Sequence, residues 1–167
     1  MNVEKDRKPI PLGKFGSDRL NKRRRVLGSD PDESNLDIEI VPAIRAIRQT
    51  GIETIASSAG LTTSPFKGWG SYIQLNLRFF PGSKQMANKI SKFAQAVTAE
   101  LREELNNPNI SLQLVSAVKW NDDLGTTSME VDRWEIYRLQ LVGSANDDEI
   151  KFAWNKVAEK FDKSVVE

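Results

Sequence analysis

Residues 72–105 read YIQLNLRFFPGSKQMANKISKFAQAVTAELREEL, and the change of period inside this stretch decides the fold class. From Tyr72 to Phe79 polar and apolar residues alternate. Ile73, Leu75, Leu77 and Phe79 fall on one side, and Tyr72, Gln74, Asn76 and Arg78 on the other. A period of two is a strand with one buried face. Pro81-Gly82 ends it. Met86, Ile90, Phe93, Val97, Leu101 and Leu105 then recur every three or four residues, which lines one face of an α-helix. Ser83 is placed to cap that helix and Asn106-Asn107-Pro108 to stop it.

The same two periods recur on both sides. Toward the N-terminus, Pro42 sits at the first turn of a helix and Gly51 just past its end, with Val41, Ile44 and Ile47 as its apolar stripe. Ile52–Ser57 is short, rich in β-branched residues and strand-like. Toward the C-terminus, Ile110, Leu112 and Leu114 alternate with Ser111 and Gln113 in a strand running to about Trp120. A turn-rich loop, 121–132, leads to a fourth strand with Tyr137, Leu139 and Leu141 on one face, Trp134 and Ile136 on the other. Asn146 and Glu149 form a capping-box pair for a last helix, whose stripe is Ile150, Trp154, Val157 and Phe161. The order α-β-β-α-β-β-α predicts a single α+β domain over residues 36–167. Its expected form is a four-stranded, mainly antiparallel sheet with helices on one face. After the first helix it is a β-β-α unit written twice, residues 52–105 and 110–163. A solvated second face would explain Gln74, Asn76, Arg78, Gln113, Arg138 and Gln140.

The chain has 167 residues, 28% of them charged and 39% apolar, with no cysteine, no histidine and a formal net charge of +1. That length suits one core. The missing residues exclude disulfides, thiolate nucleophiles, cysteine zinc sites and Ser-His-Asp catalysis. No run of about 20 apolar residues is present to span a membrane, and no secretory signal is visible. A cytoplasmic address is the expectation. The small net charge hides a partition. Residues 1–28 hold nine bases and three acids, a net +6, and residues 29–39 hold five acids and no base. The remainder is balanced. Residues 1–35, with Pro9, Pro11, Pro31, Gly13, Gly16 and Gly28, read as an N-terminal arm.

Three segments carry candidate chemistry. The loop 58–71 is long for a strand connection. Ser57, Ser58, Gly60, Thr62, Thr63 and Lys67 supply hydroxyls, backbone freedom and one cation for an anion, with Trp69 beside them. The other reading is a surface loop with Phe66 and Trp69 folded onto the core. Asp122, Asp123 and Glu130 are hard oxygen donors of the kind that hold Mg²⁺ or Ca²⁺, although the same residues make tight turns. No cofactor is expected. In the arm, Arg19, Lys22, Arg23, Arg24 and Arg25 can neutralise phosphates or meet an acidic protein. They can equally fold back on the acids of residues 30–39.

One further pattern runs through residues 38–142. Gly51-Ile52-Glu53-Thr54-Ile55-Ala56-Ser57-Ser58-Ala59-Gly60 is followed by Tyr72-Ile73-Gln74-Leu75, then Val118-Lys119-Trp120 and Arg133-Trp134-Glu135-Ile136. This order resembles a group of small uncharacterised bacterial proteins with a G-I-x-T strand that ends in S-C-x-G or S-C-x-G-H. Here Ser58 stands at the Cys position and Leu61 at the His position. The resemblance implies a fold and supplies no activity, and the two replacements count against a thiol or metal role for that loop. The expected function is an intracellular, non-enzymatic binding or regulatory module with its basic arm on an acidic macromolecule. The alternatives are a small ligand-binding domain or enzyme using the 58–71 loop, and a subunit of a homo-oligomer.

Overall fold

The computed structural model describes residue 9 and residues 37–62, 70–77, 82–116 and 136–167. Helix α1 spans Val41–Gln49 with Pro42 in its first turn, and Gly51 beyond it has φ +91°. Strand β1 (Glu53–Ser58) pairs antiparallel with β2 (Ser71–Asn76), with a bulge between Thr54 and Ala56. Helix α2 is Ser83–Glu104 and β3 is Ser111–Ser116. Strand β4 (Ile136–Val142) is followed by α3 (Asp147–Lys160) and the short α4 (Lys163–Val166). The expected element order and α+β class hold, with α4 added at the end.

The sheet runs β1-β2-β4-β3, antiparallel throughout. This order is symmetric about the β2–β4 contact, which is how two successive β-β-α units combine when their second strands meet. Ile73, Leu75, Leu112, Leu139 and Leu141 form the sheet side of the core. Ile44, Ile47, Met86, Ile90, Val97, Leu101, Trp154 and Val157 cover it from the helices. Phe93 meets Phe161 edge to face at 5.0 Å. Among the described residues no helix is long and apolar enough to cross a membrane.

Local details follow the sequence in part. Asn146 Oδ1 accepts from the Glu149 N–H at 2.9 Å, and Glu149 Oε1 accepts from the Asn146 N–H at 3.2 Å, a complete capping box. Ser83, in contrast, is the first helical residue and not a cap. Gly82 at φ +69° precedes it, and no side chain caps α2. Strand β2 also ends before the predicted Phe79, at Asn76.

Candidate functional site

The described ends of the 58–71 loop form a closed bend. Ser58 is fully buried and its Oγ accepts from the Gly60 N–H at 3.3 Å. The Ala59 N–H donates to Asp37 Oδ2 at 2.8 Å. Gly60 has φ +69°, and a Cβ there would lie 2.8 Å from the Gly70 carbonyl carbon and oxygen, so the loop's two ends touch. Thr62 donates its N–H to Asp147 Oδ1 at 3.1 Å and its hydroxyl to Asp147 Oδ2 at 2.6 Å. These two bonds, with help from Lys151, hold the Asp147 carboxyl below its usual range. Ser58 and Gly60 are thus bonded to each other, Ser57 lies one residue earlier in β1, and both Thr62 donors already serve a carboxylate. Thr63, Lys67 and Trp69 lie outside the described residues, as do Phe66, Asp122, Asp123, Glu130 and Arg19, Lys22, Arg23, Arg24 and Arg25. Among the described residues, no group of three or more acidic side chains is placed to hold a metal ion.

A second cluster was not legible as a site. Along β2, Tyr72, Gln74 and Asn76 point to the face away from the core and are all buried, Gln74 completely. The expected solvated face survives only toward β3, where Gln113 is exposed and Gln140 half-buried. Register sets Gln74 opposite Arg138 and Asn76 opposite Glu53. Arg138 Nη2 donates to Gln74 Oε1 at 3.4 Å, and its guanidinium lies 4.1 Å from the Tyr72 ring centre. Asn76 Nδ2 donates to Glu53 Oε2 at 3.3 Å. Burial pushes the Tyr72 hydroxyl pKa up, and Arg138 partly offsets this. Among the described residues, Glu53 Oε1, Gln74 Nε2 and Arg138 Nε are buried without a hydrogen-bond partner. Such atoms cost about 1–3 kcal/mol each, so a polar group placed against this face has two donors and one acceptor to satisfy.

The third feature is a groove of about 510 Å³ between α2 and the outer edge of β3. Ser91, Gln95, Thr98 and Arg102 line it from the helix, Ser111–Val115 from the strand. Thr98 Oγ1 accepts from the Leu112 N–H at 2.9 Å and lies 3.1 Å from the Leu112 carbonyl oxygen. Arg102 Nε donates to the Ile110 carbonyl at 2.9 Å. Among the described residues, helix and strand are therefore anchored at one end, with no side-chain hydrogen bond joining them at the other. No protein-family model, curated protein or solved structure matches this chain.

Proposed function

We propose that this chain is a non-enzymatic binding module that works in the cytoplasm. Its basic N-terminal segment engages an acidic macromolecule, a nucleic acid or an acidic protein, and the α+β body is the scaffold. The observation that carries this reading is the charge partition, a net +6 within residues 1–28 beside a balanced body. Clustered Lys and Arg side chains displace counterions from a polyanion, so the attraction is strong at low salt and falls steeply as salt rises. The absence of His and Cys from all 167 residues supports a binding role over catalysis. The expected result is that the full chain is retained on duplex DNA or heparin at low salt and elutes as salt rises. Deleting residues 1–28 should remove that retention. Equal retention of full chain and truncated body would refute the reading.

A further inference from the structure

We propose that the groove between α2 and β3 binds the extended C-terminal segment of a partner protein, which adds as an antiparallel strand to β3 with its terminal carboxylate on Arg102. This proposal does not rest on the basic arm.

The argument begins with main-chain direction. Leu112 turns both its N–H and its C=O to Thr98, away from β4. In an antiparallel ladder main-chain direction repeats every second residue. Leu114, which opposes Leu139 across the ladder, therefore also presents its N–H and C=O to the outer edge. Among the described residues, β3 is the last strand of the sheet on that side. Its sequence, SLQLVS, has none of the charges or prolines that normally deter an added strand. The groove beside it has the volume of a ligand pocket, and Ser91 and Ala94 leave its helical wall low.

The polarity of the groove selects the occupant. Contacts Arg102–Ile110 and Thr98–Leu112 show that α2 and β3 run in opposite directions, stepping about 6 Å per contact on each element. At the β3 N-terminal end the edge is closed, because Arg102 and Thr98 already hold the Ile110 and Leu112 groups. A strand entering beside Leu114 ends at the Thr98–Leu112 contact, and only its terminal group extends on toward the Arg102 Nη atoms, so a chain terminus fits and a passing chain does not. Arg102 is exposed and, among the described residues that line the groove, is the one that is charged. Its Nε is held by Ile110, and its Nη atoms have no ion-pair partner among the described residues. A planar guanidinium held by one nitrogen is a ready receptor for a carboxylate. A C-terminus at that end requires the incoming strand to run antiparallel to β3, the better-pairing orientation.

The test titrates the isotope-labelled full chain with an alternating threonine–valine hexapeptide bearing a free C-terminus, and with the same peptide amidated. The expected result is saturable amide shifts at Leu114–Ser116 and Thr98–Arg102, with the amidated peptide about tenfold weaker. Arg102→Gln should weaken the free acid to the level of the amide, and Arg102→Lys should recover part of the difference. Leu114→Pro should abolish binding of both peptides, since its N–H faces away from β4 and the β3–β4 ladder does not use it. Melting curves of each variant show whether the body is folded. Shifts confined to other surfaces, no shifts, equal affinity for the two peptides, or a folded Arg102→Gln variant that binds as the parent does would each overturn the proposal.

Discussion

At the scale of single residues, several polar side chains complete the backbone where strands and helices meet. Arg48 is buried on α1, and its Nη1 donates to the carbonyl and hydroxyl of Thr54 at 3.0 and 2.9 Å. Thr98 has a matching position on α2. Its hydroxyl accepts the Leu112 N–H and shares its own proton between the carbonyls of Ala94 and Leu112. Thr98→Val keeps the shape and strands the Leu112 N–H, which should cost about 1–3 kcal/mol. Thr98→Ser should retain most of the stability. Urea midpoints of the two variants check this, and an unchanged midpoint in Thr98→Val with a loss in Thr98→Ser would show that the methyl group, not the hydroxyl, matters. Neither role was legible in the sequence. Helical periodicity marks the apolar stripe of α1 or α2 but says nothing of a polar neighbour that reaches a strand edge.

At the scale of elements, the capping box at Asn146 and Glu149 and the stripe of α3 were readable because both depend on residues a few positions apart. The partner of Asp147 was not, because Thr62 lies 85 residues away. Asp147 is lowered in the folded state, so its contribution is present above its unfolded value near 3.8 and is lost as pH falls through the folded value. The expected outcome for Asp147→Asn is a variant less stable than the parent at neutral pH, with the gap closing below about pH 4. Asp162, lowered in the same direction by Ser164, leaves part of the acid-sensitive limb in place. Chemical denaturation across that pH range measures the gap, and a constant gap would show that the Thr62 bonds do not act through the ionised carboxylate. The loop candidate is affected as well. Ser57, Ser58, Gly60 and Thr62 were singled out for their residue types, yet the Gly60 amide turns to the Ser58 hydroxyl and both Thr62 donors turn to Asp147.

At the scale of the whole molecule, the two β-β-α units meet through β2 and β4 and are joined again where the chain leaves β4. There Gly143 has φ +101°, and a Cβ would lie 1.8 Å from the Asn109 carbonyl oxygen just before β3. Nearby, Asn107 Nδ2 donates to the Ser144 carbonyl and to Glu149 Oε2 at 2.9 and 3.0 Å. Gly143→Ala should lower stability by well over about 1 kcal/mol, since strain and collision add. Gly70→Ala is the control. Its φ is +84° with nothing within 4 Å of the added carbon, so it reports strain alone. Similar losses in the two variants would mean that the close approach at Asn109 relaxes without cost.

The local order of the chain carried the α+β class, the α-β-β-α-β-β-α succession, most of the core stripe and the α3 cap, because periodicity and capping act over a few residues. The charge partition of the N-terminal segment is likewise a property of sequence alone. The tertiary structure decided the strand order β1-β2-β4-β3, the burial of Tyr72, Gln74 and Asn76, and the sealing of one half of the β3 edge by Thr98 and Arg102. Each of those depends on which distant segments meet, and a period-two pattern gives the two faces of a strand without saying what lies against either.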